Sequence, residues 1–184
     1  MLIASQIIGV GAVALYLLSF QLKKRGQIVW ATCLSNVLYV TQYVLLGAFS
    51  GAILDGLSAV SSFFAAEKNT PRLKKHAKWI AITTFALIIF FGVLMAVLRR
   101  DPVELLPIAG GLLQTGGLWA EDEQRIRRFG LASAPFWLAY NFISSAYGAA
   151  LGSVLTILSS VVALVRYRKN KSQKEAQMAE SNDR

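Results

Sequence analysis

Seven apolar runs separated by short polar gaps constrain this chain more than any other feature. They lie at roughly residues 2–20, 28–47, 51–66, 77–98, 103–120, 129–147 and 150–165. A helix needs about 17–25 residues to cross the hydrocarbon core of a bilayer. Five runs reach that length, while the third and seventh fall a little short. Each of those two follows its predecessor through a tight glycine-containing turn, near Gly47–Gly51 and Gly148–Gly152. Such a pair reads either as a re-entrant hairpin or as two spans. Two spans are preferred, because the charges then sort by side.

With the N-terminus outside, the cytoplasmic gaps and tail hold 17 of the 19 Lys and Arg residues, and only Arg99 and Arg100 lie outside. That asymmetry is the positive-inside pattern of a multi-pass membrane protein. The predicted placement is a bacterial inner membrane with the C-terminus cytoplasmic. A chain of 184 residues that is 55% hydrophobic and 16% charged does not suit a soluble domain. The net charge of +9 is spread over the gaps rather than gathered on one face, so the expected partner is the lipid bilayer and not nucleic acid. The first run lacks a basic leader and reads as an anchor, not a cleaved signal. Residues 168–184 read as a polar, disordered or frayed tail.

Comparing residues 6–66 with 107–167, a shift of 101, gives 12 identities in 61 positions, among them Gly47/Gly148 and Gly51/Gly152. The organisation this predicts is a three-helix unit over 1–66, a basic loop and linker helix over 67–101 (the helix at 77–98), and a second unit over 102–167. Three is odd, so the linker span restores the orientation of the second unit. The expected fold is all-α and polytopic: seven transmembrane helices in a parallel 3+1+3 repeat, by analogy with SWEET carriers.

The stretch DPVELLPIAG (Asp101–Gly110), the run LLGAFSGAIL at 45–54 and the pair Tyr140-Asn141 resemble the YgjV-type family of bacterial inner membrane proteins. The resemblance covers nearly all of residues 1–168, and PVELLP is its most specific piece. It implies a seven-span inner membrane protein related at fold level to SWEET and PQ-loop carriers. It implies no substrate.

Polar groups inside a membrane are costly and are functional suspects by default. Asn36, Tyr39 and Tyr43 share one face of the second run. Trp137, Tyr140, Asn141 and Ser144 share one face of the sixth. Asn36 lies about 12 Å into its span, near the midplane. Trp30, Trp79 and Trp119 fall at cytoplasmic span ends and read as interfacial belt residues; Trp137 falls mid-span. The candidate substrate-binding set is Asn36, Tyr39, Trp137, Tyr140 and Asn141, with core packing as the competing reading. Asp55, aligned with Thr156, is the carboxylate inside a span and a candidate for proton coupling, or a vestibule residue. Pro107 and Pro135 are candidate hinges or plain structural prolines. The glycine and serine runs read as sites of close helix approach.

One cysteine (Cys33) and one histidine (His76) leave no pairing for a disulfide or a metal cluster. No metal, cofactor or catalytic residue is expected. The Glu121–Glu123 cluster beside Arg125, Arg127 and Arg128 reads as a solvated loop. The function expected is carriage of a small polar solute (sugar-like, nucleoside or amino-acid class) by alternating access. A non-transporting scaffold is the alternative and a membrane enzyme the weakest reading. The oligomer is expected to be a monomer or a homodimer.

Overall fold

The computed structural model describes residues 2–159 and 161. The polar tail and the end of the seventh run lie outside the described residues. Seven α-helices follow one another: α1 (Leu2–Gln21), α2 (Arg25–Leu46), α3 (Phe49–Glu67), α4 (Ala77–Arg99), α5 (Leu105–Trp119), α6 (Glu123–Ile143) and α7 (Tyr147–Ser159). No strand occurs among the described residues.

Helices α1 to α4 are each long and apolar enough to cross a membrane. The third run was expected to be short, yet α3 has 19 residues, because Phe49, Ser50 and Glu67 extend it at both ends. The fifth run was expected to be a full-length helix, and α5 has only 15 residues. Its first part is instead a 3-10 turn, Pro102–Glu104, where Asp101 accepts a hydrogen bond from the Val103 N–H at 2.9 Å. Proline at the first position of that turn gives up an N–H that would have had no partner.

Helix α1 packs on α2, α2 on α3 and α5 on α6, while α3 meets α5. Helix α4 touches α3 and α5 along a thin stripe, its buried residues being Thr84, Ile88 and Gly92. The burial pattern is inverted relative to a protein in water. Among the described residues 20 polar or charged residues are buried, as many as hydrophobic ones, while Ile3, Trp79, Leu98 and Phe142 stand largely exposed. Apolar side chains facing outward with polar ones inward suit lipid as the surrounding medium. The connections after α1, α3 and α5 lie at one end with eleven described Lys and Arg residues. Arg99 and Arg100 lie at the other.

Backbone landmarks of α1–α3 recur in α5–α7 at a constant offset of 98 residues. The residue before α2, Lys24, has φ −99 and ψ 129, and the residue before α6, Asp122, has φ −98 and ψ 130. The turn after α2 passes through the left-handed region at Gly47 (φ 70), and the turn after α6 does so at Ser145 (φ 58). The Ala48 N–H donates to the Tyr43 carbonyl at 2.9 Å, and the Ala146 N–H to that of Asn141 at 2.8 Å. Burial follows the same offset: Ile28, Thr32, Ser35, Asn36, Gln42 and Tyr43 match Ile126, Gly130, Ser133, Ala134, Tyr140 and Asn141.

The expected shift of 101 is therefore corrected by three residues. It would pair buried Gln42 with Ile143, which is 55% exposed. Three residues turn a helix by about 300°, so a stripe of small residues looks much the same in either register. The corrected partners are Tyr39 with Trp137, Asp55 with Ser153 rather than Thr156, and Asn36 with Ala134.

Candidate functional site

A small cavity of about 30 Å³ lies in the middle of the bundle. Four pairs related by the offset of 98 line it: Tyr16 and Gln114, Tyr39 and Trp137, Tyr43 and Asn141, Asp55 and Ser153. Ser133, Ala134, Gly152 and Thr156 complete the wall. The cavity thus forms where equivalent positions of α1–α3 and α5–α7 face one another. Its size admits one or two waters.

The aromatic part of the wall is a cluster. Tyr43 stacks on Trp137 (ring centroids 6.3 Å, planes at 19°) and on Tyr39 (6.3 Å, 26°). Tyr140 meets both Tyr43 and Trp137 edge-on. Glycines make room for these rings. A Cβ at Gly110 would lie 2.9 Å from Trp137 Nε1, and one at Gly152 3.0 Å from the Tyr39 hydroxyl. The polar part is a chain. The Tyr43 hydroxyl donates to Asn141 Oδ1 at 2.6 Å, and Asn141 Nδ2 donates to Ser153 Oγ at 3.4 Å. Tyr43→Phe leaves that buried Asn141 oxygen without its donor, and a loss of about 2 kcal/mol is expected. Thermal unfolding in detergent beside the wild type checks it.

Of the residues singled out from sequence, Tyr39, Trp137, Asn141 and Asp55 line the cavity, and Asn36 and Tyr140 do not. Asn36 is fully buried and accepts from Gln114 Nε2 at 3.1 Å, so it holds a cavity residue in place. The Tyr140 hydroxyl accepts from the Gly51 N–H at 2.9 Å, at the start of α3. Asp55 is 3% exposed, and among the described residues no Lys, Arg or His shares the lining with it. Pro107 sits in the first turn of α5, where a missing N–H costs nothing, so it starts that helix rather than hinging it. Pro135 lies inside α6 and deprives the Leu131 carbonyl of its helical donor. Tyr16 and Gln114 were missed. Gln114 carried a usable signal, a primary amide inside an apolar run.

At each end of the bundle, hydrogen bonds join α1–α3 and their connections to α5–α7. At the basic end, Arg25 donates to the carbonyls of Ala65, Leu118 and Ala120, each at 2.9 Å. Arg127 donates to those of Phe20 and Leu22 at 3.3 and 3.4 Å. Lys68 reaches the Trp119 carbonyl at 2.6 Å and Glu121 at 2.7 Å. Cations thus meet helix C-termini whose carbonyls lack helical donors. Trp119, expected in the lipid belt, instead donates from Nε1 to Ser61 Oγ at 2.8 Å. At the opposite end, Gln6 accepts from the Gly148 N–H at 2.9 Å and donates to the Ser145 carbonyl at 3.1 Å. The bond from the Gly51 N–H to Tyr140 is the third there.

The acidic loop is more structured than expected. Asp122 caps α6 through the Gln124 N–H at 3.3 Å. The Lys68 ammonium, hydrogen-bonded to Glu121, holds that carboxyl below the usual carboxylate range. The stabilisation from this pair is therefore full above the ordinary carboxylate range and is lost as pH falls through the lowered value. The Glu121 side chain is 74% exposed, so the effect is small. The expected result is a Tm difference between wild type and Glu121→Gln that is present at neutral pH and vanishes in acid.

A family model described as a bacterial inner membrane protein, Imp-YgjV, matches residues 3–171. No curated protein and no solved structure matches the chain. The match reaches into all seven helices and includes the DPVELLP turn, and the chain belongs to the YgjV family of bacterial inner membrane proteins.

Proposed function

We propose that the protein is a carrier that moves a small polar solute across the inner membrane by alternating access. The two moving bodies are α1–α3 and α5–α7, arranged as a parallel 3+1+3 repeat with α4 as the linker span. The N-terminus lies outside and the basic end faces the cytoplasm, as the distribution of Lys and Arg favours. One observation carries the reading: the polar cavity is lined by residues 98 apart in the two units, and a few hydrogen bonds join the units at each end of the bundle. Rocking one unit against the other would break the bonds at one end and keep those at the other. In this state the cavity measures about 30 Å³, and a solute larger than water requires the two units to part. A single chain supplies both units, so a monomer suffices. No reaction chemistry is assigned.

The scaffold reading draws on the cavity's small volume and on the internal pairing of Tyr43, Asn141 and Ser153. A thermal-shift panel of sugars, nucleosides, amino acids and amines on the purified protein separates the two. A carrier gives a solute that raises the Tm of the wild type and raises that of Trp137→Phe much less. A panel that stabilises neither protein favours the scaffold.

A further inference from the structure

Among the described residues, the cavity lining holds one carboxylate and no basic side chain. Asp55 is buried inside the bundle, and the lining around it offers hydroxyls, amides and aromatic rings. A carboxylate in such a place is costly unless a proton or a cation compensates it. An anionic solute would meet a like charge with no counter-ion. A neutral solute would leave the carboxylate to be compensated by a proton alone. A cation meets a complementary site.

Two further observations narrow the cation. The cavity wall carries three rings, Tyr39, Tyr43 and Trp137, in stacked contact. Ring faces attract organic ammonium groups, whereas a bare alkali ion needs a shell of oxygens. The Thr156 hydroxyl also lines the cavity, is 1% exposed and has no hydrogen-bond partner among the described residues. An ammonium N–H supplies the donor that this oxygen lacks. The cavity volume fits the head of a small amine and little more.

We propose that the solute is a small protonated amine, whose ammonium pairs with Asp55 and donates to Thr156 while its carbon end lies among Tyr39, Tyr43 and Trp137. The inference rests on the carrier reading for the movement of the solute, but its binding is measurable without transport.

The test uses the intact protein in detergent at neutral pH and constant ionic strength. Methylammonium chloride is compared with sodium chloride and with the neutral acetamide by thermal shift, on wild type, Asp55→Asn and Thr156→Val. The expected result is a rise in the Tm of the wild type with methylammonium alone. Asp55→Asn stays folded without a buried charge and loses the shift. Thr156→Val binds about tenfold more weakly, the loss of one hydrogen bond to a charged group. Stabilisation by acetamide and not by methylammonium overturns the cationic site and leaves the carrier standing. Stabilisation by sodium chloride alone assigns an alkali ion and overturns it too. A wild type whose Tm follows pH through Asp55 but ignores methylammonium makes Asp55 a proton site only, which also overturns it. The carrier itself is judged separately, by whether the cavity can be reached from each side of the membrane.

Discussion

Substituting valine for Gly51 is expected to destabilise the protein by about 3 kcal/mol. A Cβ there would lie 2.7 Å from Tyr140 Cε1, 3.1 Å from its hydroxyl and 3.2 Å from Tyr43 Cγ. None of these is the free end of a flexible chain. Tyr43 is 2% exposed and packed against three other rings, so the cluster has nowhere to retreat. Overpacking of this kind costs about 1–3 kcal/mol. Moving Tyr140 also breaks its bond from the Gly51 N–H, which adds about 1 kcal/mol. Gly11→Ala is the control, since its nearest neighbour, Leu38 Cδ1, lies at 3.8 Å. There the gain in helix propensity wins, and a stabilisation of up to about 1 kcal/mol is expected. Opposite signs for the glycines of α1 and α3 would show that close approach, not composition, decides. Thermal unfolding in one detergent reads both.

Arg25→Ala is expected to cost about as much, roughly 3 kcal/mol, at the other end of the molecule. Its guanidinium is the single group that ties the C-terminal carbonyls of α3 and α5 to the start of α2. Without it, carbonyls at two helix ends lose their donors together. Arg25→Lys keeps the charge but not the planar fork, and an ammonium cannot reach three carbonyls in the same way. It is expected to restore less than half of the loss. Because these bonds join the units at the basic end, Arg25→Ala also shifts the carrier towards the state open at that end. A cysteine in the cavity then reacts faster with a reagent applied from the basic side, an effect that destabilisation alone does not direct to one side.

Much of the fold was legible because hydropathy marks each helix independently. The positions of all seven helices and the gathering of basic residues at one end follow from the apolar runs and their gaps. The lengths of α3 and α5 were less legible, because Phe49 and Glu67 continue a helix past the apolar run, and Pro102 turns the start of another into a 3-10 turn. The register of the internal similarity was not legible. Counting identities among glycine, alanine and leucine rewards any shift that keeps small residues on one stripe. The turn geometry at Gly47 and Ser145, the backbone before α2 and α6 and the burial pattern separate 98 from 101.

The site divides in the same way. Helical periodicity placed Tyr39 and the Trp137–Asn141 stretch on inward faces, and the cost of a buried charge drew attention to Asp55. Periodicity gives a face but not the neighbour across from it. Asn36 and Tyr140 are inward too, yet one supports Gln114 and the other sits on the start of α3. Gln114 escaped notice because the glycines on either side read as packing.

The most direct test of alternating access needs no knowledge of the solute. In a Cys33→Ala background, Ser153→Cys places a thiol of nearly unchanged size in the cavity wall. A membrane-impermeant methanethiosulfonate is applied to sealed vesicles of each orientation. A carrier predicts modification from both sides, with Arg25→Ala accelerating the reaction from the basic side. Modification from one side alone, or from neither in folded protein, would contradict the account.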